Sequence, residues 1–204
     1  ALMREYIPQI EVSENGGSEF AKAILTTDKR TKEIAVSFKI DGVAHTVGGT
    51  SKGSGMIHPN MATMLAYITT DADVDPNYLQ KTLSKSVKLS FNQIDVDGDQ
   101  STNDTVLLLA NGAANGQKIS GGDEASKVFE TAILQVCQFL AIEIARDGEG
   151  ATKLIEVTVN GAHSEDDALI ASRSCAASML VKTAVYGRDP NWGRIFMAVG
   201  KSGI

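Results

Sequence analysis

The chain has 204 residues, a mass of 21.6 kDa and a formal net charge of −6, from 19 Lys and Arg against 25 Asp and Glu. A pI near 5.1 without a basic stripe argues against nucleic acid or an anionic membrane as main partner, and 43% hydrophobic against 22% charged residues excludes a disordered chain. No uninterrupted run of roughly 18 apolar residues exists, so no membrane span is expected.

The opening ALMREYIPQI lacks the basic region and cleavage site of a secretory signal. It starts at Ala1 rather than Met, and the chain stops at Gly203-Ile204 directly after an apolar stretch, so the sequence reads as a piece of a longer protein. Residues 20–27 read as the end of a short helix, closed by Asp28, Lys29, Arg30 and Thr31. In residues 33–40 the apolar side chains Ile34, Val36, Phe38 and Ile40 recur at every second position, the mark of a half-buried strand. Asp41-Gly42 predicts a type I′ turn into a second strand at 43–47. Residues 48–60 read as a glycine-rich loop and 64–68 as a buried strand. Asp75-Pro76 opens a helix with Leu79, Leu83 and Val87 spaced by four, and a polar stretch at 95–104 leads to a strand at 106–110.

The longest helix is predicted at 124–146, with Phe129, Ile133, Val136, Leu140 and Ile144 as its apolar stripe. Beyond Asp147-Gly148-Glu149-Gly150 the pattern changes to a strand at 154–159, a helix at 166–182 and a strand at 195–199. Strands interleaved with helices give an α/β class. A boundary near Gly150 divides a unit at 1–150 from the start of a second at 151–204.

Generic site motifs fail one by one. The P-loop pattern ending in Gly200-Lys201-Ser202 has Ile195 where its first glycine belongs. Asp95, Asp97 and Asp99 imitate the start of a calcium loop, but Gln100 and Val106 stand at the turn glycine and the bidentate acid. His45, His58 and His163 are too scattered for a metal centre, so no metal is expected. Cys137 and Cys175 sit in apolar surroundings and read as packed thiols in a reducing, cytoplasmic setting. By its residues alone, the stretch from Ser51 to Leu65 is a flexible loop, a proline and an ordinary β-branched strand residue at Thr63.

The runs KGSGMIHPNMATML from Lys52, ITTDA from Ile68, DVDGDQSTNDTV from Asp95, DGEGATK from Asp147 and DPNWGR from Asp189 resemble, in this order, the ornithine acetyltransferase family of arginine biosynthesis. The resemblance spans nearly the whole chain and implies a layered α/β sandwich of helix-flanked sheets with part of a second, smaller α/β domain. Family members are about twice as long, and their oxyanion-hole Thr-Gly pair and pocket-closing C-terminal residues have no counterpart in this sequence.

The resemblance further implies self-cleavage between Ala62 and Thr63. Thr63 then becomes an N-terminal nucleophile whose own α-amine, with an unperturbed pKa of roughly 7.7–8.0, serves as base. The implied reaction is a ping-pong transfer of acetyl from N-acetylornithine to glutamate, with no cofactor unless acetyl-CoA also donates. The cleaved chains are expected to stay together as a heterotetramer in the cytoplasm. Matching substrate positions are Thr26, Lys52, Thr63 and Glu149. Lys52 would pair with a carboxylate or else be a solvated loop lysine. Thr26 shares its register with Thr27, and Glu149 would meet an amino group or else be a surface acid beside Asp147. Residues 97–104 and 188–194 receive no chemistry: Asn103 and Asp104 are expected to form Asx turns, and Trp192 to anchor a turn. An aminopeptidase-like self-cleaving hydrolase and a non-catalytic assembly module remain the alternatives.

Overall fold

The structure, a computed structural model, describes residues 2–58 and 64–204. Two short helices, α1 (Leu2–Tyr6) and α2 (Gly16–Ala23), precede a four-stranded sheet. Strands β1 (Lys32–Ile40) and β2 (Val43–Lys52) form a hairpin across Asp41 and Gly42, whose φ values of 49° and 83° are the paired left-handed positions of a I′ turn. Strand β3 (Leu65–Thr70) runs antiparallel to β2, and β4 (Thr105–Ala110) runs parallel to β3. A parallel neighbour requires a crossover, which carries α3 (Pro76–Lys88). Asp75 starts that helix by accepting hydrogen bonds from the Asn77 and Tyr78 N–H groups.

Helix α4 (Glu124–Arg146), capped by Asp123, lies over β1 and β2 and buries its predicted stripe: Phe129, Ile133, Val136, Leu140 and Ile144 are inaccessible. By length and composition α4 could cross a membrane, with a mean hydropathy of 1.6, although charged residues interrupt its apolar run. Half of its most apolar stretch is buried in the fold, as in the core helix of a folded domain.

Four expectations need correction. Residues 48–52 belong to β2 rather than to a loop. Gly49 there serves packing, since a Cβ would stand 2.7 Å from Val136 Cγ1 and push α4 off the sheet. The helix expected at 166–182 is two helices, α5 (Glu165–Ala176) and α6 (Met179–Tyr186), bent by 59° where Ser178 caps a new first turn. The run at 195–199 lies inside helix α7 (Trp192–Gly200), because Asn191 accepts from the Arg194 N–H and nucleates a helix. Residues 154–159 alternate in exposure as a strand would, yet no described strand pairs with them. Cys175, Val181 and Ala198 form a second, small core with Val157 and Val199.

Both cysteines are buried, and burial pushes the Cys137 thiol up to about 12, which makes it inert as a nucleophile.

Candidate active site

Strand directions bring the starts of β1, β3 and β4 and the end of β2 to one end of the sheet. The C-terminus of α4 and the loop after α2 join them there through a buried charge cluster. Lys32 is fully buried, and its ammonium donates to Asp28 Oδ1 at 2.6 Å and to Asp147 Oδ2 at 2.7 Å. A lysine withdrawn from water survives only with such partners. Asp28 also accepts the N–H of Gly53 at 2.7 Å and of Thr26 at 3.3 Å, and Asp147 accepts the Lys29 N–H at 3.0 Å. Burial pushes the Asp28 carboxyl up, but the Gly53 N–H and the Lys32 charge outweigh it and hold the group below the usual carboxylate range. One charge cluster thus fixes the α2–β1 loop, the end of β2 and the end of α4 relative to each other.

The family-matched residues lie around that cluster. Lys52, the last residue of β2, is buried, and its ammonium donates to the Thr26 hydroxyl at 3.3 Å. Thr27 is turned to the same loop, its hydroxyl 2.7 Å from that of Ser54. Glu149 is exposed just beyond α4, and its N–H donates to the Ser54 carbonyl at 2.7 Å. Its carboxylate lies so close to Gly55 that a Cβ there would stand 2.8 Å from Glu149 Cδ. Lys52, the Thr26-Thr27 pair and Glu149, far apart in sequence, therefore meet around Gly53-Ser54-Gly55. Glu149 also lines a cleft of about 520 Å³ bounded by α6 and residues 149–156.

Ala62 and Thr63 lie outside the described residues, but both approaches to them are held. On one side, Asp97 accepts the N–H groups of Met56 at 2.6 Å and Ile57 at 3.0 Å. His58 Nδ1 lies 2.6 Å from Asp95 Oδ1, and the other Asp95 oxygen binds the Lys182 ammonium of α6. On the other side, the Met64 N–H donates to Asp104 Oδ1 at 2.5 Å. Burial pushes the Asp104 carboxyl up to about 6, only partly offset by the Met64 N–H and the charge of Lys52.

The segment that received no chemistry from sequence is thus the clamp on both flanks of residues 59–63. Neither Asn103 nor Asp104 makes an Asx turn among the described residues: the Asn103 Oδ1 accepts the Thr102 hydroxyl, and Asp104 reaches across to the Met64 N–H at the start of β3. Asp95 and Asp97, read as a failed calcium loop, are engaged by a histidine, a lysine and backbone N–H groups. Sequence reasoning also passed over Asp28 and Lys32. The signal available was a set of closely spaced acids beside a strand start, which does not say which N–H each acid meets. Trp192 is no buried anchor: it is 73% exposed at the first position of α7 and stacks edge-on against Phe196 at 5.8 Å.

Residues 2–204 match a family described as the ArgJ family. The chain is 53% identical to the arginine biosynthesis bifunctional protein ArgJ of Dehalococcoides mccartyi over 201 residues, covering 98% of this chain and 50% of that protein. It is 54% identical to the glutamate N-acetyltransferase of Methanocaldococcus jannaschii over 191 residues, covering 93% of this chain and 46% of that protein. The chain spans about half the length of the curated relatives it matches. The crystal structure of ArgJ from Bacillus halodurans superposes with a TM-score of 0.65 at 47% identity, over 67% of this chain and 64% of that one. A match along nearly the whole sequence, on a shared mixed α/β fold, establishes that this chain belongs to the ArgJ family.

Proposed function

We propose that the protein containing this chain is a glutamate N-acetyltransferase that carries acetyl from N-acetylornithine to glutamate on Thr63, after cutting itself before that residue. In the cut, the Thr63 hydroxyl adds to the Ala62 carbonyl carbon, the Ala62–Thr63 amide breaks, and an ester to the Thr63 oxygen forms with the amine released. Water then hydrolyses the ester, leaving Thr63 with a free α-amine. In transfer, that amine takes the hydroxyl proton as the oxygen attacks the acetyl carbonyl of N-acetylornithine. The proton passes to the departing amine, ornithine leaves, and the amine of glutamate removes acetyl from the threonine ester. Lys52 is suited to a substrate carboxylate and Glu149 to a substrate amine. The cleaved chains remain associated as a heterotetramer in the cytoplasm, and acetyl-CoA is a second donor where the enzyme is bifunctional.

The observation that supports this reading best is the convergence of Lys52, Thr26 and Glu149 beside a segment clamped on both flanks by Asp97 and Asp104. The test is intact mass and N-terminal sequencing of the full-length protein, with and without N-acetylornithine. A new N-terminus of Thr-Met-Leu, abolished by Thr63→Ala, and one acetyl group on that chain are expected. A different N-terminus, or no acetylation, refutes the reading. An acetyl group lost rapidly to water without an acceptor favours a hydrolase instead.

A further inference from the structure

Strand β2 ends where Lys52 pairs with Leu65, so Gly53, Ser54 and Gly55 leave the sheet without a ladder partner. Two other segments hold them instead. From the α2–β1 loop, Asp28 Oδ1 accepts the Gly53 N–H at 2.7 Å, and the Thr27 hydroxyl stands 2.7 Å from the Ser54 hydroxyl. From the end of α4, the Glu149 N–H donates to the Ser54 carbonyl at 2.7 Å. Ser54 is only 2% exposed, and Thr27 is the described partner of its hydroxyl. A buried hydroxyl left without a partner is costly, so this bond decides where Ser54 sits. Ser54 thereby stands between two charged groups. Lys52 lies two residues before it, with its ammonium on the Thr26 hydroxyl, and Glu149 is tied to its carbonyl.

We infer that Thr27 and Ser54 are a positioning pair, whose hydroxyl–hydroxyl bond holds the Ser54 carbonyl for Glu149 and keeps Thr26 against Lys52. The pair so fixes the spacing between the cation and the carboxylate that take the oppositely charged ends of an amino-acid substrate. The inference rests on the reading of Lys52 and Glu149 as substrate-binding groups. The two adjacent threonines divide the work: Thr26 meets Lys52, and Thr27 acts through Ser54 on Glu149. Neither Thr27 nor Ser54 takes part in the chemistry. Their effect falls on binding, which appears in KM rather than in kcat.

The test uses the full-length protein with Thr27→Val, which keeps the shape without the hydroxyl, Thr27→Ser, which restores the hydroxyl, Ser54→Ala, and the Thr27→Val/Ser54→Ala double variant. For each, kcat and KM for N-acetylornithine, the unfolding midpoint and hydrogen exchange of the Glu149 amide are measured. Loss of one hydrogen bond predicts a KM higher by roughly three- to tenfold in Thr27→Val and Ser54→Ala, with kcat within about twofold. Thr27→Ser should stay within about twofold of the wild-type KM, and the double variant should be no worse than the worse single one, because both break the same bond. The Glu149 amide should exchange faster in Thr27→Val, by about threefold or more. An unchanged KM in Thr27→Val, a loss confined to kcat with a lowered midpoint, no recovery in Thr27→Ser, or effects that multiply in the double variant each overturn the inference. If Thr27→Val does not fold, Ser54→Ala carries the same expectation and the same refutation. Wild-type protein that does not turn over N-acetylornithine removes the underlying reading instead, while amide exchange, which needs no substrate, still tests the tether.

Discussion

Replacing Lys32 by Met tests whether the buried charge cluster organises the site. Methionine keeps most of the volume, so the loss is electrostatic rather than a cavity. The substitution leaves Asp28 and Asp147 facing each other in a dry pocket, both side chains nearly inaccessible. Removing one partner of a buried pair typically costs about 3–5 kcal/mol. Here each acid retains backbone donors, Gly53 and Thr26 for Asp28 and Lys29 for Asp147, so the lower end, about 3 kcal/mol, is expected.

The loss should depend on pH. In the wild type the Asp28 carboxyl lies below its ordinary value of 3.8, so its contribution is complete above that value and is lost only as pH falls through the lower folded value. Without Lys32, burial acts against the carboxylate with less opposition and its titration moves upward. Acid then neutralises the stranded charge, so the gap between variant and wild type should be largest near neutrality and shrink towards about pH 4. Urea denaturation of the full-length protein at several pH values measures this. A loss below about 1 kcal/mol at pH 7, or one constant with pH, would refute the reasoning.

Three further outcomes follow from the site. Lys52→Ala should lower kcat/KM for N-acetylornithine by roughly ten- to a hundredfold while the protein stays folded; unchanged steady-state kinetics would remove Lys52 from the pocket. Gly55→Ala places a Cβ against the Glu149 carboxylate, which can swing aside, so stability should fall by less than about 1 kcal/mol while substrate KM rises; an unchanged KM would separate Glu149 from binding. Asp104 titrates at about 6 when folded against an ordinary 3.8, so its charge opposes folding at higher pH and the penalty vanishes as pH falls below both values. Asp104→Asn should therefore be more stable than wild type near pH 8, with the difference shrinking as pH falls and gone only below about pH 3.8. Denaturation midpoints that do not diverge with rising pH would contradict this.

The parts of this protein legible in its sequence are those set by neighbours along the chain. The I′ turn at Asp41-Gly42, the cap at Asp75 and the full extent of α4 with its five-residue stripe depend on local backbone preference and on periodicity sustained over many residues. Thr26, Lys52 and Glu149 were named through motif resemblance, and only the fold shows that they meet. Residues 195–199 are too few for periodicity to separate strand from helix, and the Asn191 cap decided for helix. Two contiguous turns of apolar pattern likewise hid the break at Ser178. The grip on the segment before β3 was beyond any local reading. Its hydrogen bonds join residues 37 to 41 positions apart, Asp95 to His58, Asp97 to Met56 and Ile57, and Asp104 to Met64. The pairing of β3 with β4 brings these acids to the start of β3, and an acidic side chain takes its role from the N–H or ammonium that packing places against it.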